Sequence, residues 1–167
     1  MRIKLLYTIA TLCCLSMLLM QCRKTTETDK ALFERSNTTT GFTYYMNNDS
    51  VLPSSSPSAH NAYFRVRFNS IAYAALTDNG KLPAGGSFPD GSLIVKELYD
   101  SQTGSLQLLA VMEKASNNSA AGSGYLWGEY EPDGQAVFST SKKGNGCISC
   151  HDNSGNRDLV RLFELFP

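Results

Sequence analysis

Histidine is scarce in this chain, with two in 167 residues, His60 and His151. Cysteine is nearly as scarce once the N-terminal leader is set aside: of five, Cys13, Cys14 and Cys22 come early, and only Cys147 and Cys150 remain. A structural zinc site needs four ligands. Cys147, Cys150, His151 and the distant His60 supply too few at one place, unless Asp152 or another carboxylate joins them. No βαβ pattern surrounds the cysteines, as a dithiol redox centre would lead one to expect. Charge of one sign is also missing, because 15 Lys and Arg balance 15 Asp and Glu. Without Arg2 and Lys4 of the leader the balance is about −2. No basic patch forms, which argues against nucleic acid as a partner. There is no internal repeat, and the apolar run Leu5 to Met20 is short for a membrane span.

What the chain does have is Cys147-Ile-Ser-Cys150-His151. C-x-x-C-H is the attachment signature of a c-type haem. Two thiols at that spacing reach the two vinyl groups of one porphyrin and form thioethers. The histidine that follows is then placed as the axial ligand of the iron. The expectation is one covalent haem c on Cys147 and Cys150, with His151 on the iron. A disulfide and a metal site are the other readings of the same residues.

The leader agrees with an exported haem protein. Met1-Arg2-Ile3-Lys4 is a basic start, followed by the apolar run, and residues 1–21 read as a signal peptide. Leu19-Met20-Gln21-Cys22 resembles a bacterial lipobox, with Gln21 where a small residue is usual. Cys22 is therefore expected to be lipidated, with an ordinary signal peptide or a single N-terminal anchor as the other readings. Such a chain would sit on the periplasmic side of a bacterial cell envelope, held to the membrane by lipid. Cys13 and Cys14 leave with the leader and Cys22 takes lipid, so no thiol remains for a structural disulfide. Residues 22–59 read as a tether and irregular arm, in which Leu32-Phe33 could dock as a short helix and Phe42 to Met46 as an added strand. Residues 60–167 read as the haem domain, and the length suits one domain.

Alternation sets the fold class. Phe64, Val66 and Phe68 fall on one side of a half-buried strand over 62–68, with Tyr63, Arg65 and Arg67 on the other. Further strands are predicted over 92–99, 105–114, 125–131 and 135–139, with a hairpin glycine in Pro132-Asp133-Gly134. Short helices are predicted over 70–76 and 158–166. The expected fold is mainly β (α+β), an antiparallel sheet with a few short helices and the haem segment near the C-terminus.

Several segments in order resemble the cytochrome P-460 family, which includes the cytochromes c-prime-beta. They are Phe64-Arg-Val-Arg-Phe-Asn69 with Ala72 and Ala75, Phe88-Pro-Asp-Gly-Ser-Leu-Ile-Val-Lys-Glu97, Val111-Met-Glu-Lys114, Trp127-Gly-Glu-Tyr130 and Cys147 to His151 with Asp158. The resemblance implies a β domain, commonly dimeric, with one haem packed on the sheet and an open distal position. It implies nitric oxide or hydroxylamine as the small-molecule ligand; for a haem protein a redox partner protein is also expected. Some relatives link a lysine to the porphyrin edge, and Lys96 is where such a link would fall, with Lys114 second.

Phe64, Phe68, Phe88, Met112 and Trp127 are candidate distal-pocket residues, and an apolar pocket favours a neutral diatomic over an anion. A sixth ligand would have to come from Met46, Met112 or His60. Met112 shares a strand face with Leu106, Leu108 and Ala110 and reads as core. His60 reads as a solvated loop residue. If one of them ligates, the chain is instead a six-coordinate electron-transfer cytochrome. Glu97, Glu113 and Glu129 are the strand carboxylates that could act as a base.

Overall fold

The computed structural model describes residues 25–54, 60, 63–152, 155 and 157–165. The expected signal peptide and Cys22 lie outside the described residues. Among the described residues no helix is long and apolar enough to cross a membrane.

Seven antiparallel strands make one sheet: β1 (Phe42–Tyr44), β2 (Leu52–Pro53), β3 (Tyr63–Asn69), β4 (Leu93–Tyr99), β5 (Leu106–Lys114), β6 (Tyr125–Tyr130) and β7 (Ala136–Phe138). Their order is β1-β3-β4-β5-β6-β7, and β2 also pairs with β3. The sheet is a meander from β3 onward, as tight turns between consecutive strands require. The five strands predicted between residues 62 and 139 agree with the structure to about one residue at either end, the added strand expected over Phe42 to Met46 stops at Tyr44 where a 3-10 turn begins, and the mainly β class is what the structure shows. The helices are short: α1 (Glu27–Ser36), α2 (Ser70–Ala74), α3 (Ile148–His151) and α4 (Leu162–Leu165).

The register fixes two faces. Val66 pairs with Lys96, Lys96 with Ala110, and Ala110 with Glu129, so these four form one row. With Phe64, Phe68, Ile94, Met112 and Trp127 they make the front face, which packs against Val160 and Phe163 after the haem motif. Leu93, Val95, Leu109, Val111, Leu126 and Tyr130 make the back face, which packs against Leu32 of α1.

The segment read as tether and arm is built into this domain. Thr26 caps α1, accepting from the Asp29 N–H at 3.1 Å while Asp29 accepts the Thr26 N–H at 2.8 Å, a capping box. Leu32 is fully buried. β1 and β2 then pair with β3 in succession.

Two expectations need correction. β3 is not half-buried, because Arg67, expected on an open side, is 2 % exposed. Its guanidinium donates to Glu97 at 2.6 Å and to the carbonyls of Ser36 and Thr38 at the end of α1. Arg65 also pairs with Glu97, and the Tyr99 hydroxyl donates to it at 2.7 Å. Burial alone would raise the Glu97 carboxyl, but these donors outweigh it and hold it low. Enclosed charge is tolerated here because every group has partners. The helix expected over 158–166 is only Leu162–Leu165. Asp158 and Leu159 stand at φ 50° and 68°, outside any right-handed helix, and the Asp158 carboxylate is committed elsewhere.

Candidate functional site

The chain reaches the haem motif through a 3-10 turn, Thr140–Lys142, capped by Ser139. The buried Asp29 of α1 anchors that turn, accepting the Thr140 N–H at 2.8 Å and the Ser139 hydroxyl at 2.7 Å. Gly144 follows at φ 70°, and a Cβ there would lie 2.5 Å from Trp127 Cδ1. Only glycine meets both demands. Trp127 is fixed by its indole N–H, which donates to the Gly122 carbonyl at 2.9 Å.

Cys150 and His151 sit on the single turn of α3, and Cys147 is the residue just before it. The two thiols are not joined in a disulfide; Cys147 is half-buried and Cys150 exposed. The Arg161 guanidinium donates to Cys150 Sγ at 3.1 Å. His151 meets Trp127 edge-on, with ring centroids 5.0 Å apart at 80°. Its Nδ1 lies 2.8 Å from the Leu159 carbonyl oxygen. A carbonyl only accepts, so Nδ1 carries the proton and Nε2 keeps its lone pair for a metal. Burial lowers the imidazole pKa and favours the neutral, ligating form, although the carbonyl bond works the other way. Two free thiols one turn apart, beside an imidazole with an oriented lone pair, fit a covalent haem.

The adjoining front face is not wholly apolar. In the row Val66–Lys96–Ala110–Glu129 the small Ala110 separates two ionisable side chains. The Lys96 ammonium stands 4.5 Å over the Phe64 ring centroid. No salt bridge joins it to a carboxylate among the described residues, and burial lowers it to about 8. Burial raises Glu129, with Lys142 opposing. His60, expected in solvent, is instead half-buried. Its Nδ1 is 3.6 Å from Glu129 Oε1, and its ring stands edge-on to His151 with centroids 6.5 Å apart. Burial first, then the field of Lys96, brings His60 down to about 4. The same burial, with Glu129 adding to it, raises the Cys147 thiol.

The other candidates separate cleanly. Lys114 is held by Asp158 at 2.9 Å, so of the two lysines Lys96 is the one with an uncommitted amine. Glu97 and Glu113 lie on the back face, paired with arginines, Glu113 with Arg35 at 2.6 Å. Among the three strand carboxylates only Glu129 faces the motif. Phe64, Phe68, Phe88, Met112 and Trp127 all belong to the front cluster. Phe68 stacks on both Phe88 and Phe163. Met46 is exposed and is not part of this cluster.

Sequence reasoning missed the Leu159 carbonyl and the nearness of His60 to Glu129. A backbone carbonyl leaves no side-chain signal. Glu129, though, shares strand parity with Tyr125 and Trp127, and that was readable. The sequence profile of the cytochrome P460 family matches residues 42–161. No curated protein matches the chain.

Proposed function

The chain belongs to the cytochrome P460 family, and from that premise we propose an exported mono-haem c-type cytochrome that processes small nitrogen compounds. Cys147 and Cys150 hold the haem covalently and His151 is the protein ligand of the iron. The observation that carries this is the His151 ring, whose Nδ1 is engaged by the Leu159 carbonyl at 2.8 Å beside two free thiols. The bound haem supplies one-electron redox chemistry and a coordination position for a small ligand.

The residues around it favour a substrate that carries protons, of which hydroxylamine is the simplest in this chemical class. Glu129, whose carboxyl burial raises, would be the group that accepts a proton from an N–H or O–H of the substrate. Lys96, which burial lowers to about 8, offers on the same face the deprotonated amine that a link to the porphyrin edge would need. A second reading is reversible binding of nitric oxide, favoured by the apolar wall of Phe64, Met112 and Trp127. Acylation at Cys22, a periplasmic site at the membrane, a redox partner protein and a homodimer belong to the same proposal.

Two measurements test it. Denaturing gels stained for haem should show a band that survives boiling, and colour lost on denaturation would reject covalent attachment. Weighing the digested haem peptide then separates the readings. Haem on the Cys147–His151 peptide with a second link to a Lys96 peptide indicates hydroxylamine oxidation. Haem on the one peptide, with high-spin ferric iron, indicates nitric oxide binding. A low-spin, six-coordinate spectrum would overturn both and leave an electron carrier.

A further inference from the structure

The Asp158 carboxylate, seven residues past the motif, gathers an unusual number of donors. It accepts from Lys114 at the end of β5 at 2.9 and 3.0 Å, and from the Tyr125 hydroxyl at the start of β6 at 2.8 Å. It also takes the Phe88 N–H at 2.7 Å and the Ser87 hydroxyl at 3.0 Å from the turn before β4. Burial by itself would raise this carboxyl, and the donors reverse that. Three separate parts of the sheet therefore converge on one side chain. Its own backbone is at φ 50° and that of Leu159 at φ 68°. A β-carbon makes that left-handed pair unfavourable by about 1–2 kcal/mol per residue, so the surrounding contacts must hold it. The result is a Leu159 carbonyl aimed at His151 Nδ1.

We propose that Asp158 is a positioning residue for His151: anchored by Lys114, Tyr125 and Phe88, it locks the Leu159 carbonyl onto the imidazole and so sets the orientation, tautomer and basicity of the iron ligand. This rests on the haem reading for what Nε2 binds, but not for the contact itself. A carbonyl accepting from Nδ1–H makes the imidazole a stronger donor. A stronger donor favours ferric over ferrous iron, which lowers the reduction potential.

The experiment uses haem-loaded Asp158→Asn, read by the iron–histidine stretch in the resonance Raman spectrum of ferrous protein and by the reduction potential. The amide keeps the shape but loses the charge that Lys114 and Tyr125 hold. The expected result is an iron–histidine band moved to lower frequency. The reduction equilibrium should shift toward ferrous iron by up to tenfold, about 59 mV for a one-electron couple. Glu97→Gln is the control, since it weakens an equally enclosed network on the back face. It should lose stability and leave both readings at wild type.

If Asp158→Asn does not accumulate, Tyr125→Phe removes one donor without baring a charge and should move both readings the same way by less. Unchanged readings in whichever variant loads haem would overturn the proposal, as would equal shifts in Glu97→Gln. Failure of the wild type to bind haem covalently would instead fell the functional reading.

Discussion

Lys96 and Glu97 are neighbours on β4 and meet burial in opposite ways. Glu97 is surrounded by two arginines and a phenol; Lys96 has an aromatic face. Where Lys96 is a free amine its folded pKa, about 8, lies below the ordinary 10.5. Between those values the unfolded chain binds more protons, so stability rises with pH across that window. Below pH 8 the cost of the enclosed charge is fully present. Lys96→Met should therefore raise the unfolding free energy at pH 7 by about 2 kcal/mol, and the gain should shrink toward pH 10.5. Urea titrations at pH 7 and pH 10 check this. Glu129 gives the functional counterpart. Glu129→Gln should cut hydroxylamine turnover by about 10²–10⁴-fold and spare nitric oxide binding. Wild-type turnover should fall as pH drops through the raised Glu129 pKa, because the base works deprotonated. That acid limb should be absent from the variant's pH–rate profile.

At the scale of elements, α1 shows how much can rest on one apolar side chain. Leu32 fills the back core, and Leu32→Ala should cost about 3 kcal/mol, seen as a lower midpoint in denaturant. Asp29→Ala should cost about 2 kcal/mol or more, since it removes a cap and leaves the Thr140 N–H unpartnered. Thermal melts of the two variants measure these losses. α1 was hard to read because one buried leucine beside Phe33 makes no amphipathic stripe; its anchor is a polar residue at the cap. β3 to β7 were legible because alternation is local. Arg67 was misplaced for the converse reason: a charged residue on the alternate face reads as solvent-facing until a distant carboxylate and a helix end are brought to it. Asp158 and Leu159 were read as helix because their apolar spacing fits one, and nothing local reports a carboxylate with four donors from elsewhere.

In the whole molecule, the proposed haem anchors stand in one short motif and their surroundings do not. Cys147, Cys150 and His151 are contiguous, so their chemistry is written in five residues. The Leu159 carbonyl, the Lys96–Ala110–Glu129 row and the partial burial of His60 exist only once β4, β5 and β6 are in register. The export reading makes its own prediction. Native protein should carry acyl mass at Cys22, and Cys22→Ser should move the haem domain from the membrane fraction to the soluble periplasmic one. A mature N-terminus at another residue would reject lipidation.

Under the proposed acylation of Cys22, the Thr26 cap would also limit how far this protein can range. Only Arg23, Lys24 and Thr25 stand between Cys22 and the capping residue. Fully extended, that stretch spans roughly 14 Å. With Cys22 acylated, the first turn of α1 lies within that reach of the lipid headgroups, and the sheet it packs on comes with it. The domain then explores a thin layer above the bilayer rather than the depth of the compartment. Under that proposal an electron donor or acceptor would have to come to that layer, and a partner embedded in the same membrane or resting on it would meet the haem far more often than one diffusing freely.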